Sequence, residues 1–383
     1  MHCRLGAAQC GAWRATSRPA RPGARGRSTA PRAAPPGGAA APAAVELELA
    51  EGSSLQSVCK QLDAILAGAA EGGIAVEQQA VALAQAAMAR GVFKAFGRGQ
   101  QVPKRIYTIE ELRLNRIEPA KLLSPTDESL NAVRNAAQGA AAAGLAALAF
   151  FAGFSKVFGV LVAASFLLVA DQVANAGGGE ALLVDSLGRV LSPNYGARVT
   201  LHEAGHFLVA YLVGLLPRDF TLSSADAFMR HRALNVQAGC QFCDGGFDGE
   251  VAAGRLSSTS LDRYSCVALA GVVTEYLRYG QAEGGVGDVA QLDRLLRALQ
   301  FTQKKADGQV RWAVLNVAAM LRRHAGLHDA LADAMAAGRS IGECVALIEG
   351  ALAAQPDLLA PEGAASGGSA AASAASDGEA SDA

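Results

Sequence analysis

Two histidines and the glutamate beside the first, in His202-Glu203-Ala204-Gly205-His206, are the residues whose types and spacing could do chemistry. On a helix, residues four apart stack on one face, so the two imidazoles can grip one metal ion. Glu203 sits one step round the helix, where its carboxylate reaches a water held by that ion. In an H-E-x-x-H site the ion is zinc. Zinc lowers the pKa of the water, and the glutamate takes the proton as the oxygen attacks a carbonyl. The bland alternative is a chance motif whose histidines only cap or pack.

A catalytic zinc normally takes three protein ligands and leaves one position for water. The extended motif H-E-x-x-H-x-x-G-x-x-H is excluded, because Val209 and Leu212 occupy its glycine and third-histidine positions. His231 is the nearest other histidine and lies between Arg230 and Arg232. Asp262, Glu275, Asp288 and Asp293 are the acidic candidates, and spacing does not choose among them.

The element that must position the pair is a long helix. At a 3.6-residue period Leu201, Ala204, Leu208, Tyr211, Leu212 and Leu215 fall on one side, with His202, His206 and Val209 opposite. The pattern predicts a helix anchored by one face and presenting its histidines on the other. It starts past Pro193 and Gly196, runs to about Leu216 and stops at Pro217. Phe220-Thr221-Leu222 and Ala233 to Gln237 are short strand candidates, and such an edge could pair with an extended peptide. Gly245, Gly246 and Gly249 read as a loop. From about Ser260 to Ala354 the pattern is helical: a helix from Leu261 to Tyr279 closed by Gly280, another opened by Asp288, a third from Val310 to Leu321, then two short ones.

Upstream, residues 45–130 read as a small helical region. Gly72-Gly73 separates two helices there, and a capping box is formed by Thr108 and Glu111. Residues 136–174 are the membrane candidate. Ala136 to Phe154 and Val157 to Ala170 carry no charge and fit one tilted span or a hairpin of two. The alanine-rich first stretch would equally suit a buried helix. Arg113, Arg116, Lys121 and Arg134 weakly place the N-terminal side in the stroma or matrix. Gly177-Gly178-Gly179 reads as a flexible exit.

Residues 1–44 hold seven arginines and no acid, amid Ala, Pro, Gly, Ser and Thr. That is the composition of an organellar transit peptide. The tail, 356–383, turns to Ala, Ser and Gly with a few acids from Gly363 and is expected to be disordered. The 383 residues carry a net charge of −1 and are 51% hydrophobic, which argues against a nucleic-acid binder. Seven cysteines, scattered and odd in number, are no disulfide framework. Cys240-Gln241-Phe242-Cys243 is a lone C-x-x-C, expected to be a reduced pair in a turn.

The zinc motif and the stretch Ala270-Gly271-Val272-Val273-Thr274-Glu275-Tyr276-Leu277, followed by Gly280 and Gly287-Asp288-Val289, resemble the FtsH family of membrane-anchored AAA zinc proteases over about residues 195–350. The resemblance implies a mainly α zinc metalloprotease domain, here 190–355, with His202, His206 and Asp288 as zinc ligands and Glu203 as the catalytic base. Asp293 stays open as the alternative to Asp288, because Val286-Gly287 replaces the family's Ser-Asn. Glu275 would lie behind the ligands. The whole chain is similar to plant and algal chloroplast FtsH-like proteins that lack the AAA module, through Phe207 to Gly214, Phe301 to Asp307 and Val310-Arg311-Trp312. No Walker loop is present, and the roughly 85 residues between leader and membrane run are too few for an ATPase. The implied activity is endopeptidase cleavage of membrane proteins at the chloroplast thylakoid (alternatively the mitochondrial inner membrane). Implied partners are polypeptide substrates, the membrane, and AAA protease subunits or further copies of the chain. The rival expectation is a non-catalytic, zinc-stabilised chaperone or scaffold.

Overall fold

The computed structural model describes residues 52–123, 131–175, 178–232 and 238–359. The expected leader, the second expected strand at 233–237 and the tail beyond residue 359 lie outside them. The chain is mainly helical, as its periodicity predicts. In order come α1 (Leu55–Ala67), α2 (Ala69–Ala89), α3 (Ile109–Leu114), α4 (Pro119–Leu123), α5 (Asn131–Ala152), α6 (Phe154–Asn175) and α7 (Gly178–Leu191). The histidine helix α8 (Pro193–Val213) is followed by β1 (Pro217–Thr221), α9 (Ser224–His231), β2 (Gly239–Phe242) and α10 (Gly245–Ala252). The last helices are α11 (Ser258–Tyr279), α12 (Val286–Ala298), α13 (Gln303–Arg323), α14 (Ala325–Ala336) and α15 (Ile341–Ala354). β1 and β2 pair antiparallel, with Phe220 opposite Cys240.

α8 begins with Pro193 at its first position, where the missing N–H costs nothing. It ends three residues earlier than the hydrophobic pattern suggests, because Gly214 turns left-handed at φ 85°. The N–H groups of Gly214 and Leu215 then close back on the carbonyls of Tyr211 and Ala210 at 3.1 and 2.8 Å, a Schellman turn. Pro217 opens β1 rather than ending the helix.

The expected half-exposed helix is corrected: every residue from His202 to Val213 is buried. α8 is the central rod of the fold, packed by α11, α13, α14 and the β1–β2 pair. α11 covers the histidine side. It is capped by Ser257, closed by left-handed Gly280 as its sequence predicts, and buried continuously from Tyr264 to Glu275.

The upstream segment belongs to the same core. Leu62, Leu83 and Leu112 are buried in one cluster with Leu208, Leu212, Val267 and Ile348. Asp63 of α1 accepts from Ser340 Oγ and Gly342 N–H at the start of α15, both at 2.7 Å. Buried Glu349 accepts from Tyr211 Oη at 2.6 Å and from the N–H groups of residues 94–96, tying that loop over the end of α8. The Thr108–Glu111 capping box forms as expected. Gly73 breaks the helical path inside α2.

Two expected loops are helical. Gly178 and Gly179 lie in α7 (Gly177 is outside the described residues), where Gly179 N–H donates to Asp171 at 3.0 Å, and Gly245, Gly246 and Gly249 lie in α10. At Gly179 the bond to Asp171 offsets the weak helix propensity of glycine. α5 and α6 form a hairpin across left-handed Gly153. α6 is the one described helix long and apolar enough to cross a membrane, and α5 carries a shorter apolar stretch, Gln138–Phe151. Phe154, Phe158, Phe166, Leu167 and Val173 are exposed along α6, so it is not a core helix of this fold.

Candidate metal centre

His202, His206 and Asp288 converge: each offers a ligand atom, and these atoms lie within 4.8 Å of one another. α8 supplies the imidazoles. Asp288 comes from the first turn of α12, whose N-terminal dipole favours a carboxylate. Left-handed Gly285, φ 82°, aims that turn at the histidines. His202 Nε2 is 3.3 Å and His206 Nε2 3.5 Å from Asp288 Oδ2, and the two Nε2 atoms are 3.1 Å apart.

The protons on the far sides of the rings decide what the centre needs. His206 Nδ1 is 2.8 Å from the carbonyl of Val267, which can only accept, so Nδ1 carries the proton and Nε2 a lone pair. His202 Nδ1 lies 2.7 Å from Glu275 Oε1 and donates to that carboxylate. Two nitrogen lone pairs and a carboxylate oxygen therefore face one point, out of water. Only a cation satisfies them, either a shared proton or a metal ion. A set of two imidazoles and one carboxylate suits a transition-metal ion such as zinc or iron(II), whereas magnesium and calcium favour all-oxygen sites.

Glu275 orients His202 and is itself held. Its Oε2 pairs with Arg198 Nε at 2.8 Å and accepts the N–H groups of Glu283 and Gly284 at 2.9 and 3.0 Å. This carboxylate–histidine arrangement fixes the tautomer and raises ligand basicity. Burial disfavours the imidazolium of His202, but Asp288 and Glu275 outweigh it and hold its pKa well above that of an ordinary histidine. Burial likewise opposes the anions of Glu275 and Asp288, yet their histidine partners keep both carboxyls below the usual range. At neutral pH the metal-free centre thus holds a proton on His202, which an incoming metal ion must displace. Calorimetric zinc titrations at pH 7, in buffers of different ionisation enthalpy, are expected to give about one proton released per ion from this group. A buffer-independent enthalpy would contradict it.

The cradle is shaped by glycines. A Cβ on Gly271 of α11 would overlap the imidazole of His202, and one on Gly284 would overlap Glu275. A Cβ on Gly205, between the two histidines, would overlap the Thr274 side chain. Gly271→Ala is therefore expected to abolish stoichiometric metal binding while keeping the helical circular dichroism. Retention of wild-type metal content would show that the ring has room to shift.

Glu203 lies beside the cluster with its side chain fully buried. Oε2 accepts the Cys240 N–H at 2.9 Å, and Oε1 has no partner. A buried carboxylate oxygen left unpaired is costly unless a ligand or water completes it. β2 therefore serves Glu203 through its backbone, a role the sequence does not signal. Cys240 and Cys243 are buried and form no disulfide, and Cys240 lies in a strand rather than the expected turn.

The competing acids are elsewhere. Asp293 is exposed on α12 and pairs with Arg297 at 2.8 Å. Asp262 binds Lys104 and Gln309. His231 lies near Gln241 and Asp219. Arg198, Val267 and Gly271 escaped sequence reasoning. Only Gly271 left a signal there, as a glycine inside a strongly helical run.

The centre is closed. His202, Glu203 and His206 are 0% exposed and Asp288 1%. Two surface cavities, of about 800 and 1170 Å³, are lined by other residues. No protein-family model, no curated protein and no solved structure matches the chain.

Proposed function

We propose that the protein is a membrane-associated zinc metalloendopeptidase with an FtsH-type protease domain. The observation that carries the reading is the convergence of His202, His206 and Asp288 beside a buried carboxylate with one unpaired oxygen. Bound there, zinc would supply Lewis-acid polarisation of the scissile carbonyl and acidify a water molecule. The chain's own residues do the rest. His202, His206 and Asp288 would hold the ion, and Glu275 with Val267 O fixes the two ring orientations. The Cys240 N–H holds Glu203 by one oxygen and leaves the other to take a proton from the attacking water. Glu203 then gives that proton to the amine as the C–N bond breaks.

The exposed apolar face of α6, in a helix of 22 residues, supports a membrane anchor. The basic, acid-free leader supports delivery to the chloroplast, with the thylakoid membrane as the site of action and the mitochondrial inner membrane as the alternative. Substrates are loosely folded segments of membrane proteins or are delivered by a partner AAA subunit. Cleavage of casein by the purified full chain, compared with Glu203→Gln, tests the reading.

A second reading draws on the closure of the centre. All four residues are out of solvent, which suits a zinc that staples α8 to α12 in a chaperone or scaffold subunit. The two readings part at Glu203. A scaffold keeps its function in Glu203→Gln, and a peptidase loses it.

A further inference from the structure

The larger cavity, about 1170 Å³, is a groove between α2 and α10. Its lining includes Val81 and Met88 of α2, Leu216, and the parallel rings of Phe247 and Tyr264, stacked with centroids 4.9 Å apart. Asp244 also lines it and is 5% exposed. This residue immediately precedes α10, where an aspartate ordinarily caps the helix, yet its side chain makes no capping bond. Oδ2 is buried with no partner. The nearby acids Asp248 and Glu77 add to its negative field, and Glu77 already holds Arg218. Arg263, also on the lining, sits against Gly214. Burial first, then Asp248 and Glu77, push the Asp244 carboxyl up to about 7 against the weaker pull of Arg218; Arg255 and Arg263 also line the groove, yet no cation bonds Oδ2.

We propose that this groove is a subsite for a basic side chain, arginine or lysine, of a bound polypeptide, with Asp244 as its counter-ion. The carboxylate meets the charged head, and the apolar and aromatic walls take the stem or the guanidinium plane. That the carrier is a polypeptide rests on the peptidase reading, and the chain's own layout ties the two. Cys240 of β2 holds Glu203, and Asp244 follows four residues later, so at most about 14 Å of backbone separates the base from the groove. About four residues of extended peptide span that distance.

The test is fluorescence anisotropy of two labelled peptides that differ only in arginine against citrulline, titrated with the full-length, zinc-loaded Glu203→Gln chain. The arginine peptide is expected to bind about 10-fold or more tightly, the effect of one charge-assisted hydrogen-bonded pair. Asp244→Asn should reduce it to the citrulline level. So should Gln78→Lys, which adds a positive charge to the exposed rim of the groove and leaves the core untouched. Equal binding of the two peptides, binding of neither, or an arginine preference surviving both substitutions would overturn the subsite. Cleavage by the wild type is read separately. An arginine preference without cleavage removes the peptidase and leaves the subsite, and cleavage without preference does the reverse.

Discussion

Glu203→Gln is expected to lower peptide hydrolysis by about 10²–10⁴-fold, the usual contribution of a general base, while zinc content stays at the wild-type level. The amide is nearly isosteric, and its oxygen can still accept the Cys240 N–H that Glu203 Oε2 accepts at 2.9 Å. What it cannot do is take the proton that, on the peptidase reading, the unpaired Oε1 would receive. The metal ligands are not touched, so loss of activity with retained zinc isolates the proton transfer. Stability should be unchanged or slightly higher, because a buried carboxylate is replaced by a neutral group. Casein digestion, metal analysis and thermal melting on the same preparations make the comparison. Equal digestion by variant and wild type would remove Glu203 from the chemistry and favour the scaffold reading.

The second large effect is on the fold itself. The ion would join α8 to the first turn of α12 at a point where two lone pairs and a carboxylate otherwise face each other in the interior. Metal that binds the folded chain but not the unfolded one stabilises it by about 4 kcal/mol at a thousandfold excess over its Kd. For a domain of this size that is a shift of roughly 10 °C in melting midpoint. Chelation should produce it, and re-addition of zinc should reverse it. His206→Ala should show the low midpoint with or without zinc. An unchanged midpoint after verified metal removal would mean that the centre contributes nothing to the fold.

The clustering of the two histidines was more legible than its surroundings. H-E-x-x-H is local, so helical spacing alone places His202 above His206 and sets Glu203 beside them. The third member of the cluster is not local. Asp288 lies 86 positions from His202, and nothing in the spacing separates it from Asp293. Packing does: Asp288 is turned inward and Asp293 pairs with Arg297 at the surface. Most helices were readable from periodicity and caps, as at Thr108 and Gly280. The inward burial of the histidine face was not, because imidazole counts as polar and the cover comes from α11, more than fifty residues away in sequence. The same limit hid β2. Its register against β1 depends on pairing Phe220 with Cys240, while its use to Glu203 is a backbone N–H that any residue but proline would supply.

The most direct measurement is the metal content of the purified full chain by elemental mass spectrometry, alongside His202→Ala, Asp288→Ala and Asp293→Ala. About one zinc per chain is expected in the wild type and in Asp293→Ala, with a large loss in His202→Ala and Asp288→Ala. A wild-type chain without zinc, or one that keeps its zinc when Asp288 is removed, would contradict the assignment of this centre.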